Sequence, residues 1–267
     1  MNRSFEFNTI YVVESLADHE EQTGEILYND IIKRSSDRTG MHHTKLIKVD
    51  TKEAFCNALT NIKNHTHIGY YPFIHFEIHG SNKKNGLILK SGEIILWKEL
   101  FSLTQQINII TKNNLVISLA TCYGAYFLSE IKIYEAAPFC GFVSTTGLLY
   151  EDEIIAGFTS FFESIFDNRD FDIAVEKLNT ANGLQKKYKF QTAEEFFEDL
   201  ISNMMPNFGV NHIDYKMRVI QLVNQSKLSP TYHNKSEDEL RENIVTLINK
   251  QRETFKAEYK KTFLLSD

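Results

Sequence analysis

Cysteine is scarce in this chain: Cys56, Cys122 and Cys140 are the only three in 267 residues, and none forms a CxxC pair. Three cysteines make no disulfide framework. Long apolar runs are absent too: no window offers 18 uncharged apolar residues, so no transmembrane helix is expected. The opening Met1–Asn8 lacks the apolar core of a signal peptide, and the expected location is cytoplasmic. A basic surface is missing as well. Net charge is −6. Residues 186–267 carry 13 Lys and Arg against 12 Asp and Glu, so the acidity lies in residues 1–185. That argues against direct nucleic-acid binding there. It suits a basic substrate or simply a solvated acidic surface. There is no phosphate-binding loop, internal repeat or low-complexity tract.

What is present is an alternation of strands and helices. Asn8–Glu14 reads as a buried strand, Asp18–Ser36 as a helix, Thr44–Val49 as an alternating strand, and Tyr71–Ile78 as a third, ending at His79–Gly80. Asp50, with Glu53 in a capping box, is expected to start a helix whose apolar stripe is Phe55, Leu59 and Ile62. Gly86–Leu96 reads as a hairpin around Ser91–Gly92, and Trp97–Gln106 as a helix. Leu115–Ala120 is a short apolar run without polar alternation, the pattern of a strand buried on both faces. Pro138–Val143 is another strand, followed by helices over Ile154–Phe166 and from Phe171. This order indicates an α/β fold, a doubly wound, mostly parallel sheet with helices on both faces. Asn182–Lys189 marks the expected boundary, giving a domain over 1–185 and a helical extension over 186–267. Ser236 and Glu239 open its long last helix.

The chemistry is expected at two strand ends. Cys122 follows the Leu115–Ala120 strand, and Tyr123-Gly124-Ala125 turn into a helix. Alone, Cys122 reads as a small core hydrophobe, as do Cys56 and Cys140. His79-Gly80, at the end of another buried strand, changes this. If the two strands are neighbours, imidazole and thiol share one crevice at the carboxyl edge of the sheet, as a nucleophile and its base require. The N–H groups of Gly80 and Cys122 are then the expected oxyanion hole. A competing reading takes His75, Glu77 and His79 as an HxExH metal site on one strand face, for which no further ligand is evident. Otherwise Glu77 is expected to orient His79 or pack at the sheet face. His42, His43, His65 and His67 are expected in exposed loops.

The blocks Ile74-His-Phe-Glu-Ile-His-Gly80 and Val116-Ile-Ser-Leu-Ala-Thr-Cys-Tyr-Gly124 resemble the His-Gly and Cys blocks of caspase-like (clan CD) cysteine peptidases. The hairpin Gly86–Leu96, the following helix, and Phe139–Val143 with its apolar helix resemble the CHAT branch in particular. The resemblance runs over about residues 8–182 in element order. It implies a cysteine endopeptidase that needs no cofactor, with His79 as base and acid and Cys122 as nucleophile, forming a thioester on a protein or peptide substrate. It also implies an activating partner and, in bacterial relatives, a defence or cell-death setting. Metacaspase-like members carry an acid two residues before the cysteine; here that residue is Ala120. No arginine follows the first strand to read a P1 aspartate. Glu14, Asp18, Glu151, Asp152 and Glu153 are the candidate walls for a basic P1 side chain. The alternative function is a catalytically silent scaffold or signalling module of the same fold.

Overall fold

The computed structural model describes residues 6–40, 43–181, 187–204, 213–232 and 234–266. They divide into two compact units: residues 1–132 with 136–193, and residues 133–135 with 194–267.

The first unit is built on a mostly parallel sheet in the order β2-β1-β3-β6-β7-β8. Its strands are β1 Thr9–Ser15, β2 His43–Lys48, β3 Pro72–Gly80, β6 Val116–Ala120, β7 Gly141–Thr145 and β8 Tyr188–Thr192. The first five run parallel, and β8 closes the edge antiparallel to β7. β1, β6 and β7 are buried at every position, as mostly apolar strands covered on both faces should be. The hairpin β4 Gly86–Ile88 and β5 Ile94–Leu96 extends from the end of β3, turning at Gly92 with φ of 83°.

The helices of this unit are α1 Thr23–Leu27, α2 Arg34–Thr39, α3 Lys52–Thr66, α4 Trp97–Ile110, α5 Glu151–Asn168 and α6 Phe171–Thr180. A π-helical turn, Tyr28–Lys33, joins α1 to α2. Helix therefore begins at Thr23, not near Asp18, and residues 16–22 form a loop after β1. Thr51, not Asp50, caps α3: its hydroxyl accepts the Ala54 N–H at 3.2 Å. One face of the sheet packs on α5 and α6 through a phenylalanine cluster. Phe73 meets Phe162 at 5.4 Å, and His75 sits edge-on to Phe158 at 4.5 Å.

β8 lies in the stretch expected to begin the helical extension. Tyr188 is buried and Phe190 packs on the same core, so the sheet unit reaches Ala193. Most of the expected boundary, residues 182–186, lies outside the described residues.

The second unit is helical: most of α7 Ala193–Met204, then α8 Ile213–Lys227 and α9 Glu237–Leu264. Tyr215, Val219 and Val223 of α8 pack on Leu240 and Ile244 of α9. Phe197 meets Phe263 at 5.6 Å, and Lys256 and Lys260 reach Glu198 at 2.7 and 3.0 Å. Ser236 and Glu239 form the expected capping box. Among the described residues no helix is long and apolar enough to cross a membrane.

Candidate active site

β3 and β6 are adjacent and parallel, with Glu77 opposite Ala120. Their carboxyl ends, which carry His79-Gly80 and Thr121-Cys122, therefore lie side by side. The Thr121 hydroxyl joins them, donating to the Ile78 carbonyl at 2.9 Å. The packing is close enough that a Cβ on Gly80 would fall 1.9 Å from the Cys122 carbonyl oxygen. Only glycine fits at that position.

The turn after β6 is sharp. Tyr123 adopts φ of 60°, its N–H donates to Gly147 O at 3.0 Å, and Gly124 N–H donates to Thr121 O at 3.1 Å. Cys122 is thereby lifted to the sheet edge, half-buried, and the segment after β7 wraps it. Leu149 N–H donates to Cys122 Sγ at 3.3 Å. The Gly80 amide has a defined direction. Ser81 N–H donates to Gly86 O, so Ser81 and Gly86 are a hydrogen-bonded pair of the β3–β4 ladder and Gly80–Leu87 is not. The Gly80 N–H accordingly points away from β4, toward the side where Cys122 lies.

His79 and Cys122 line one small cleft of about 60 Å³. Leu16, Ile78, Ala120, Leu149 and Ile154 give it apolar walls, and Glu21, Glu77 and Glu151 supply carboxylates. The imidazole and the thiol are not bonded to each other in this state. His79 Nε2 instead pairs with Glu20 Oε1 at 2.9 Å. Partial burial raises the Glu20 carboxyl, but the Ala17 N–H, at 2.7 Å, and His79 outweigh it and hold the group below its ordinary range.

Glu77 does not orient His79. Its side chain is buried and belongs to a chain beneath the cleft. Ser118 Oγ lies 2.7 Å from His75 Nδ1, His75 Nε2 lies 2.9 Å from Glu77 Oε1, and the Thr23 hydroxyl donates to Glu77 Oε2 at 3.0 Å. The HxExH residues thus part company, and among the described residues no three His, Cys, Asp or Glu side chains converge as metal ligands. Gly24 makes room for this chain: a Cβ there would lie 2.8 Å from Glu14 Oε2 and 2.9 Å from Glu77 Cγ. The Tyr188 hydroxyl is buried beside it, without a hydrogen-bond partner among the described residues. Burial, reinforced by Glu77, Glu153 and Cys122, pushes this phenol well above its usual range.

Of the five carboxylates expected to wall the cleft, Glu151 does so. Glu14 is internal, accepting the Glu25 N–H at 2.8 Å and lying 3.2 Å from Lys48 Nζ. Asp18 is exposed and pairs with Lys90 at 2.7 Å. Glu153 is engaged by Lys187 at 2.6 Å, and Asp152 is exposed outside the lining. Sequence reasoning missed Glu20 and Glu21. A usable signal existed: the residues following β1 must emerge at the same sheet edge as His79, because β1 and β3 are parallel neighbours.

Of the other histidines and cysteines, His67 is an exposed loop residue as expected, while others differ. His65 is in α3 and bonds to the Tyr11 hydroxyl at 3.1 Å, and His43 begins β2. His67 is exposed after α3, and His42 lies outside the described residues. Cys56 and Cys140 are half-buried, not core residues, and Cys140 precedes β7. No protein-family model matches this sequence, and no curated protein matches it.

Proposed function

We propose that this protein is a cysteine endopeptidase with a caspase-like fold, nearest the CHAT branch of that clan. One observation carries the reading: His79-Gly80 and Cys122 end adjacent parallel strands and open on one cleft. In the proposed mechanism Cys122 Sγ attacks the scissile carbonyl carbon as His79 takes the thiol proton. The oxyanion is held by the N–H groups of Gly80 and Cys122. His79 then returns the proton to the leaving amine, and a thioester remains. Water, deprotonated by His79, hydrolyses it and regenerates the thiol. Glu20 accepts from His79 Nε2–H, which leaves Nδ1 as the basic nitrogen. No metal or organic cofactor enters these steps.

Glu21 and Glu151 at the cleft favour a basic P1 side chain. The substrate we infer is a protein, cut in a regulated setting of defence or cell death, in the cytoplasm and under control of an activating partner. A second reading, a silent scaffold of the same fold, is favoured by one fact: the thiol engages Leu149 and the imidazole Glu20, not each other.

A peptide library cleaved by wild type and not by Cys122→Ala supports the enzyme. Labelling by iodoacetamide separates the two readings, since a reactive Cys122 reacts far faster than Cys56 and Cys140. Equal, slow labelling of all three with no cleavage overturns the enzyme.

A further inference from the structure

The opposite edge of the sheet holds a larger cavity, of about 270 Å³, at the amino ends of β1 and β2. Thr9 and His43 open these strands and pair with each other, so the cavity lies at the far end of β1 from the His79 edge. Its floor is Thr9 and Tyr11, both buried. Its walls are rings. Tyr11 and His65 stack at 6.5 Å with 22° between planes, His65 meets Tyr70 at 5.9 Å, and His43 meets Tyr70 at 5.1 Å. Lys45 projects from the edge strand β2, and Ile68, 72% exposed, forms an apolar lip.

Three features limit what fits there. First, ring walls favour a flat, polarisable partner, and base–aromatic stacking is strong and tolerant of ring identity. Second, among the described lining residues there is no carboxylate; the charged or chargeable groups are Lys45, His43, His65 and the phenols of Tyr11 and Tyr70. Burial, reinforced by Tyr70, pushes the Tyr11 phenol up to about 12, so it is a neutral hydroxyl at physiological pH, bonded to His65. Lys45 has no carboxylate within ion-pair distance among the described residues. The lining therefore complements an anion and disfavours a cation. Third, 270 Å³ lies just under the range of drug-sized sites, which suits one ring system with one acidic group.

We propose that this cavity binds a planar heteroaromatic anion of mononucleotide size. The ring lies against Tyr70 and His65, and the phosphate pairs with Lys45. The site is independent of the peptidase reading.

The test is equilibrium dialysis or calorimetry on the full chain with AMP, GMP, CMP and UMP, with adenosine and inorganic phosphate as controls. Saturable binding of at least one nucleotide is expected, weakened about tenfold or more by Tyr70→Ala. Lys45→Gln should bring nucleotide affinity down to that of the nucleoside, and Cys122→Ala should leave it unchanged. Should Tyr70→Ala fail to fold, His43→Ala, at an exposed edge position, gives the same readout. No saturable binding up to millimolar nucleotide overturns the proposal. So does inorganic phosphate binding as tightly as the nucleotides, or a folded ring variant with undiminished affinity.

Discussion

Gly80 rests against the backbone of Cys122: a β-carbon at position 80 would lie 1.9 Å from the Cys122 carbonyl oxygen and 2.8 Å from its carbonyl carbon. These are main-chain atoms of a turn fixed by Tyr123 and Gly124, so no side-chain rotation relieves the overlap. Gly80→Ala must push the two strand ends apart. It should abolish peptide cleavage and lower the melting temperature. Leu87→Ala, opposite in the β3–β4 register, costs packing without this clash. An active Gly80→Ala would refute the close approach.

Glu20 should act through His79. Its carboxyl is held below the ordinary value of 4.5, so its stabilising contact is complete above that pH and is lost as pH falls through the lowered value. Wild type should exceed Glu20→Gln in stability from neutral pH down to about 5, with the gap closing in stronger acid. In kinetics, the substitution should lower kcat across the working range while KM changes little. Denaturation at several pH values, paired with a pH–rate profile, measures both.

Removing His75 should be costly. It is fully buried and joins Ser118 to Glu77, and its loss leaves a buried carboxylate without its main partner. His75→Ala should destabilise the fold by about 3–5 kcal/mol in chemical denaturation. A double replacement, His75→Leu with Glu77→Leu, should recover much of that loss, because the buried carboxyl is removed together with its partner. A double variant no better than the single would show that packing, not the unpaired carboxyl, dominates there.

Lys84 clamps the loop after Gly80 to the turn after Cys122. Its ammonium lies 4.8 Å from the Tyr123 ring centroid, 4.9 Å from that of Tyr126, and 3.2 Å from the Tyr126 hydroxyl. Lys84→Ala should cost about 1 kcal/mol of stability and lower kcat more than it raises KM. Lys84→Arg keeps the cation over both rings and should behave like wild type.

The strand end at Cys122 was legible because a fully buried parallel strand is written as a short apolar run, and that at His79 because apolar residues alternate with His75 and Glu77 up to His79-Gly80. Their adjacency was not written; it required the crossover through the hairpin and α4. β8 was missed for a local reason. In Tyr188-Lys-Phe-Gln-Thr192 only every second residue faces the core, and the stretch abuts a lysine-rich boundary that reads as a linker. Glu20 was hidden by an acidic run, Asp18-His-Glu-Glu21, that suits a helix start by composition. The chain delays that start to Thr23 because the Glu14 carboxylate already accepts the Glu25 N–H and Thr23 must reach Glu77. Glu14 is a candidate wall by its place at the end of the first strand, but its side chain turns inward to the Glu25 N–H and Lys48.

β1 spans the whole sheet, from Thr9 at one edge to Ser15 at the other, hydrogen-bonded to β2 and β3 along its length. Seven residues of strand extend roughly 20 Å. A backbone clamped on both sides transmits little displacement, so ligands at the two edges should bind with a coupling free energy near zero. Occupancy at the amino edge and acylation at Cys122 would then be additive quantities. Under the two proposals above, such a protein would answer two chemical signals without either one setting the threshold for the other.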